Sequence, residues 1–197
     1  MRRTVVTALA ALVVVAAAAP EAWSADRYKI DPVHTFVGFA VRHLVISKVR
    51  GQFNEFSGTI LYDEDDITKS SVAITIKAAS IDTRHAKRDS DLRSPDFLDV
   101  KRFPTITFRS SRVEKRGEGY VAVGTLTIHG VPREVELPFT LLGTVRDPWG
   151  NTRIGVEAAL TINRKDFGIV WDGRMDNGGL VVGNKVEITI AAEAIKS

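Results

Sequence analysis

The sequence of 197 residues contains no cysteine and only four histidines. The absence of cysteine excludes disulfide-stapled folds, thiol catalysis, cysteine-ligated zinc and iron–sulfur clusters. The histidines do not form H-x-H or H-E-x-x-H, and the chain lacks G-x-S-x-G, a P-loop and a dinucleotide-binding fingerprint. We therefore expect no metal and no enzymatic cofactor, and a binding protein is favoured over an enzyme.

Charge is absent from residues 4–19, a run made mostly of Ala, Val and Leu. Arg2 and Arg3 precede this run, and small residues surround Ser24. The pattern predicts a Sec-type signal peptide over residues 1–24, because the run is shorter than the roughly 20 residues of a membrane-spanning helix. We expect a periplasmic protein whose remaining residues, 25–197, form a single domain.

Net charge outside the predicted leader is also small. Residues 25–197 contain 25 Lys and Arg against 23 Asp and Glu, and the two signs alternate along the chain. No basic stripe interleaved with aromatic residues occurs, so we expect no nucleic-acid partner.

Alternation of apolar and polar residues with a period of two runs through most of the domain. Val72, Ile74 and Ile76, for example, share one face of a predicted strand. Similar segments span residues 120–128, 135–145, 154–162 and 186–192. Gly124 and Gly143 lie inside such segments, as is typical of strands that bend at the corners of a closed barrel. We predict an all-β, antiparallel β-barrel of about eight strands.

Two stretches interrupt the alternation. Residues 82–103 contain acidic and basic residues at the i,i+4 spacing of a helix. Ser94 followed by Pro95 predicts the start of a helix that ends at Phe103, so we expect one or two short helices over an end of the barrel. Residues 167–184 are rich in glycine and predict a long loop at the barrel rim.

A barrel of this size either fills with side chains or encloses one small ligand. Its predicted inward faces mix bulky residues with Ala and Gly, which fits an apolar cavity and a packed core equally well. A cavity in an exported protein favours a hydrophobic, elongated ligand. The bulky members of the apolar faces are the channel candidates: Phe39, Ile76, Phe108, Leu126, Phe139 and Leu160.

Polar donors beside apolar segments are the candidates for recognising a headgroup at the cavity mouth. They are His34, His43 and Arg88, and a neutral imidazole can donate to a quinone or alcohol oxygen. The histidines also allow a lipid-modifying enzyme, in which His34 or His43 works with a neighbouring carboxylate as an acid–base pair. A structural or stress-related envelope protein with a filled core is a further alternative.

A set of short blocks extends in order along the chain from about Tyr28. The blocks are Asp31-x-x-His34-Thr35 with Val41-x-His43, Val49-Arg50-Gly51-x-Phe53, Ser80-Ile81-Asp82-Thr83, Arg88-Asp89-x-x-Leu92-x-Ser94-x-Asp96-Phe97-Leu98-Asp99, Phe103-Pro104-x-Ile106-x-Phe108-x-Ser110, Gly124-x-Leu126-Thr127-x-His129-Gly130 and Asn163-Arg164-x-Asp166-Phe167-Gly168. Together they resemble the YceI-like, polyisoprenoid-binding periplasmic proteins.

The resemblance implies a lipocalin-like barrel with a long apolar channel that holds an isoprenoid lipid, such as a polyprenyl chain or a quinone. It also implies a periplasmic location and, in some relatives, association with membrane b-type cytochromes. We expect a bound isoprenoid lipid and a monomer or homodimer. Some blocks have a structural interpretation as well. Asp82, Thr83, Arg88 and Asp89 would cap and pair the inserted helix, and Arg164 would form an ion pair with Asp166.

Overall fold

The computed structural model describes residues 25–176 and 179–197, which form a closed β-barrel of eleven strand segments with one α-helix. The signal peptide predicted over residues 1–24 lies outside the described residues. The strands are β1 (Asp26–Ile30), β2 (Phe36–His43), β3 (Ser47–Phe53), β4 (Phe56–Tyr62), β5 (Ser71–Lys77), β6 (Ile81–Asp82), β7 (Thr105–Arg116), β8 (Gly119–Ile128), β9 (Val131–Arg146), β10 (Thr152–Asn163) and β11 (Val182–Lys196). The helix is α1 (Ala86–Arg93), and short 3₁₀ helices span Ile67–Lys69, Ala78–Ser80 and Arg164–Phe167.

The first four strands act as two long, bent strands of the barrel wall. β11 pairs with β1 where Ile30 faces Ala194 and with β2 where Phe36 faces Ala191, so β1 and β2 lie end to end. β3 and β4 are arranged in the same way, since β3 pairs with β2 and β4 with β1. With β5 and β7 to β11 they close an antiparallel barrel of eight strands. The fold class predicted from the sequence is confirmed.

The two ends of the barrel carry different connections. The β2–β3 turn, the segment with β6 and α1, the β8–β9 turn and the β10–β11 connection lie at one end, which we call the helix end. The opposite end carries the β4–β5, β7–β8 and β9–β10 connections. Within the described part of the chain, no helix is long and apolar enough to cross a membrane.

A short helix lies within residues 82–103 as predicted, but it ends where the sequence predicted a helix to start. His85 is its N-cap and accepts a hydrogen bond from the Arg88 amide at 3.2 Å, whereas Ser94 ends the helix instead of starting one. Ser94 has an extended backbone, with ψ of 169°. A proline disfavours the helical conformation of the residue before it, so Pro95 stops α1 at this point. The prediction of a helix from Ser94 to Phe103 is therefore wrong.

Two glycines mark places where the wall bends. A Cβ on Gly124 would lie 2.3 Å from the Arg109 carbonyl oxygen, because β7 bulges beside it between Ser110 and Arg112. Gly143 has a φ of +124°, and the β9–β10 register shifts next to it. Only glycine tolerates such a close backbone approach or such a φ, and bulges of this kind increase the local bend of a strand.

Candidate ligand cavity

A cavity of about 300 Å³ lies inside the barrel. Along β10 its wall includes every second residue from Ile154 to Ile162, a distance of about 26 Å at the usual rise per residue. Its volume falls at the lower limit of the range typical of ligand sites, roughly 300 to 1,000 Å³. The interior is therefore not filled by side chains, and its long shape suits an extended molecule.

The strand alternation read from the sequence correctly identifies the inward faces. Almost all lining side chains are aliphatic or aromatic, and Ala122 and Ala158 contribute small ones. The six channel candidates all line the cavity: Phe39, Ile76, Phe108, Leu126, Phe139 and Leu160. Their contact with a ligand stays a prediction, but their position on the cavity wall is a property of the fold.

Side chains pack together at the end of the cavity away from the helix. The rings of Tyr28 and Tyr62 meet edge to face at 6.1 Å, and burial raises the pKa of both hydroxyls. Ile154 is 1% exposed, and the buried Ser70 hydroxyl accepts a hydrogen bond from the Asp63 amide at 3.0 Å. At the helix end the lining includes side chains that are only half-buried, namely Val41, Leu92, Phe97 and Val182.

Among the described residues that line the cavity, Arg164 is the only charged one. It follows Ile162 by two positions, so the strand period directs it inward, and it is only 4% exposed. The sequence therefore indicated an inward position for Arg164, because this residue continues the period of the apolar face of β10. Burial lowers the pKa of this guanidinium, and the charge of Asp172 partly opposes that effect.

The Arg164 guanidinium donates to oxygens of the β10–β11 connection and the start of β11. Nη1 donates to the Ile169 carbonyl at 2.8 Å, and Nε donates to the Gly183 carbonyl at 3.1 Å. Nη2 donates to the Asn184 side-chain oxygen at 3.1 Å and to the Val182 carbonyl at 3.4 Å.

These bonds correct the predicted ion pair of Arg164 with Asp166. Within the described residues no carboxylate forms an ion pair with Arg164, because the chain surrounds it with carbonyl oxygens instead. The Asp166 backbone oxygen accepts from Arg133 at 2.9 Å. In the described part of the chain Arg164 is thus a buried cation beside an apolar cavity, and its guanidinium forms no direct bond to a carboxylate.

The two histidine candidates lie at opposite ends of β2. His34 precedes the strand, its side chain is 57% exposed, and its Nδ1 lies 2.8 Å from an Asp31 carboxylate oxygen. His43 ends the strand beside the β2–β3 turn, where it pairs with Ser47. Neither side chain is part of the cavity wall in the described structure. Their roles as headgroup contacts stay predictions that the geometry does not favour.

The Arg88 side chain is held by hydrogen bonds to Thr83, which lies just before the helix. Its Nε donates to the Thr83 hydroxyl at 2.7 Å and its Nη2 to the Thr83 carbonyl at 2.8 Å. The buried Asp89 carboxylate accepts from the Thr83 amide and hydroxyl at 2.9 and 2.5 Å. These residues therefore pair at the start of the helix as the sequence suggested, whereas the N-cap is His85. The structure does not bring Arg88 together with either histidine candidate.

A network of charges surrounds Arg153 on the outside of the barrel. Its guanidinium donates to Asp31 at 2.9 Å, to Asp147 at 2.7 Å and to Glu193. The hydrogen bond with His34 is the main cause that lowers the pKa of Asp31 to about 2.

The same network contains the three closest potential metal ligands. Asp31, His34 and Glu193 have ligand atoms within 4.8 Å of one another. The Arg153 guanidinium already occupies the space between the two carboxylates, so a cation would have to displace an existing ion pair.

Comparison with known proteins agrees with this architecture. The model of the YceI-like domain family matches residues 28–194. The UPF0312 protein of Serratia proteamaculans is 46% identical over 156 residues, which cover 78% of this chain and 81% of that protein.

Solved structures share the barrel. BcnA of Burkholderia cenocepacia superposes with a TM-score of 0.73 at 24% identity, covering 83% of this chain and 98% of that one. A polyisoprenoid binding domain from Saccharophagus degradans, implicated in plant cell wall breakdown, superposes with a TM-score of 0.63 at 19% identity, covering 86% and 98%. With the family match over nearly all of the described barrel, the chain belongs to the YceI-like domain family.

Proposed function

We propose that this protein binds a long isoprenoid lipid, a polyprenyl chain or a quinone, inside the barrel and carries, stores or delivers it in the periplasm. The observation that carries the proposal is the cavity itself, which is long and apolar. An export signal predicted over residues 1–24 supports the location. The polyisoprenoid binding domain of Saccharophagus degradans, which has the same fold, supports the ligand class.

The lining determines which part of the ligand provides affinity. Apolar burial contributes roughly 25 cal/mol per Å² and has no directional requirement. A wall of aliphatic and aromatic side chains therefore rewards the length of a prenyl chain and hardly distinguishes one chain from another. Selection of a particular lipid then depends on the few polar groups at the cavity.

Arg164 is the polar group best placed for that selection. Guanidinium has five N–H groups, and four of them donate to the surrounding oxygens of Ile169, Val182, Gly183 and Asn184. Among the described residues one Nη1 hydrogen has no acceptor, and we propose that it donates to an oxygen of the ligand headgroup. A quinone carbonyl, an alcohol or a phosphate can accept it, and an anionic headgroup would also compensate the buried charge.

The alternative of a lipid-modifying enzyme has less support. His34 and Asp31 have the geometry of an acid–base pair, but both lie outside the cavity wall. A lipid chain held in the barrel would not place a reacting bond next to them. The geometry thus favours binding over turnover.

Binding of a prenyl lipid by charged variants of neighbouring residues tests the proposal. Leu126 faces the cavity and Thr125 faces outward on the same strand. We expect Leu126→Glu to lose binding at least a hundredfold, because an unpaired charge in an apolar site costs several kcal/mol, and Thr125→Glu to bind like the wild type. Equal binding by both variants, with the fold intact by circular dichroism, would show that the ligand lies elsewhere.

A further inference from the structure

The β2–β3 turn carries three consecutive aliphatic residues, the half-buried Leu44 and the exposed Val45 and Ile46. Val45 is 58% exposed and Ile46 is 85% exposed. Turns of this kind normally carry Gly, Asn or Asp, and a run of exposed apolar residues lowers solubility unless it has a function. The turn projects from the helix end of the barrel, next to the cavity-lining residue Val182.

The backbone conformation of this turn also disfavours aliphatic side chains. Leu44 has a φ of +50° and Val45 a φ of +66°. Positive φ is costly for a side chain with a Cβ and is unusual for a β-branched residue such as Val45. Aliphatic residues thus occupy positions where glycine or asparagine would make the turn more stable.

The strands on both sides of the turn form a cationic surface. The chain has no Asp or Glu between residues 32 and 54, whereas Arg42, Lys48 and Arg50 are exposed on β2 and β3. Arg42 lies directly opposite Lys48 in the ladder, although like charges in this position are destabilising. The neighbouring Glu187 pairs with Lys48 at 2.6 Å, and in the described structure neither arginine has a carboxylate within ion-pair distance.

We propose that the turn 44–46, together with Arg42 and Arg50, docks the protein on an anionic lipid bilayer. The aliphatic tip enters the boundary between headgroups and acyl chains, and the arginines contact lipid phosphates. This combination of apolar anchors and flanking cations is what binding to a membrane interface requires. A stable protein interface takes about 800 Å² from each partner, which is more than a three-residue turn offers. The inference goes beyond lipid binding in the cavity and does not depend on it.

Vesicle co-sedimentation of the exported protein tests this docking surface. Vesicles of equal parts phosphatidylglycerol and phosphatidylcholine are compared with vesicles of phosphatidylcholine alone. Ile46→Ser is the test variant, and Val33→Ser is the matched control, because Val33 is 82% exposed and lies between β1 and β2, far from the turn. Neither residue belongs to the cavity wall, so the content of prenyl lipid is measured separately and is expected to stay unchanged.

The wild type is expected to bind the anionic vesicles more tightly than the neutral ones. Ile46→Ser should weaken that binding about tenfold, since it removes most of one buried aliphatic side chain, and Val33→Ser should not change it. Arg50→Gln should weaken it about fivefold, and only on anionic vesicles. Equal binding by wild type and Ile46→Ser, or an equal loss in Val33→Ser, would overturn the proposal. So would light scattering that shows a dimer dissociated by Ile46→Ser without vesicle binding by the wild type.

Discussion

Filling the cavity with a side chain should block the ligand and stabilise the empty protein. Ala158 lies in the middle of β10, 9% exposed, where it faces Phe139 on one side and Ile190 on the other. Its small side chain is part of the cavity wall. Ala158→Phe would place an aromatic ring in the path of an extended chain.

The size of the effect follows from the area that the ring removes from the ligand. A phenylalanine side chain buries at least about 150 Å², which at roughly 25 cal/mol per Å² corresponds to about 4 kcal/mol of lost ligand burial. A flexible prenyl chain recovers part of this by bending around the ring, so we expect binding to weaken about a hundredfold. The same ring fills empty space, so thermal unfolding of the ligand-free protein should occur at a higher temperature.

Titration with a fluorescent prenyl lipid and thermal unfolding, both on Ala158→Phe, check this pair of effects. Ala159→Phe makes the same change one residue further along, on the exposed outer face, and should leave binding unchanged. Wild-type affinity in Ala158→Phe would show that the ligand lies outside the barrel, because a ligand inside it loses burial area to the ring even when it bends around it. A lower unfolding temperature would show that the wall has no space at this position.

Further predictions concern the polar and strained residues. Arg164→Lys keeps the charge but loses the planar fork, so affinity should fall about tenfold for prenyl lipids with an oxygen headgroup and stay unchanged for a hydrocarbon chain, measured by competition binding. His34→Ala should leave that preference unchanged, because its side chain lies outside the cavity wall. The lowered pKa of Asp31, about 2, means that its ionised form contributes stability that is lost as the pH falls from about 4 to about 2, so urea unfolding of Asp31→Asn should depend less on pH there. Val45→Gly should stabilise the protein by about 1 kcal/mol in urea and weaken its binding to anionic vesicles.

The fold was largely predictable because strand alternation has a fixed period. Once one residue of β10 is assigned inward, the period places every second residue from Ile154 to Ile162 inward, as observed. The helix boundary was less predictable because Pro95 fits two roles. Proline is compatible with the first turn of a helix, and it also ends a helix that comes before it. The hydrogen bonds of Thr83 with Asp89 stabilise the helix before Pro95, so the second role applies.

The polar part of the site was harder to predict because it depends on contacts between distant segments. The network around Arg153 joins Asp31, Asp147 and Glu193, which no local pattern connects. That network holds His34 on the outer surface. Arg164 had a local signal, its position two residues after Ile162 in phase with the inward face of β10, but the carbonyl oxygens that surround it come from the connection and the strand that follow.

The claim that a prenyl lipid occupies the barrel is tested most directly by mass spectrometry of an organic-solvent extract. The protein purified without added lipid should release a prenyl lipid, seen as a quinone or as a series of masses spaced by isoprene units, and Ala158→Phe prepared in parallel should release little. An extract without prenyl lipid, from a protein that also binds none on addition, would contradict the claim.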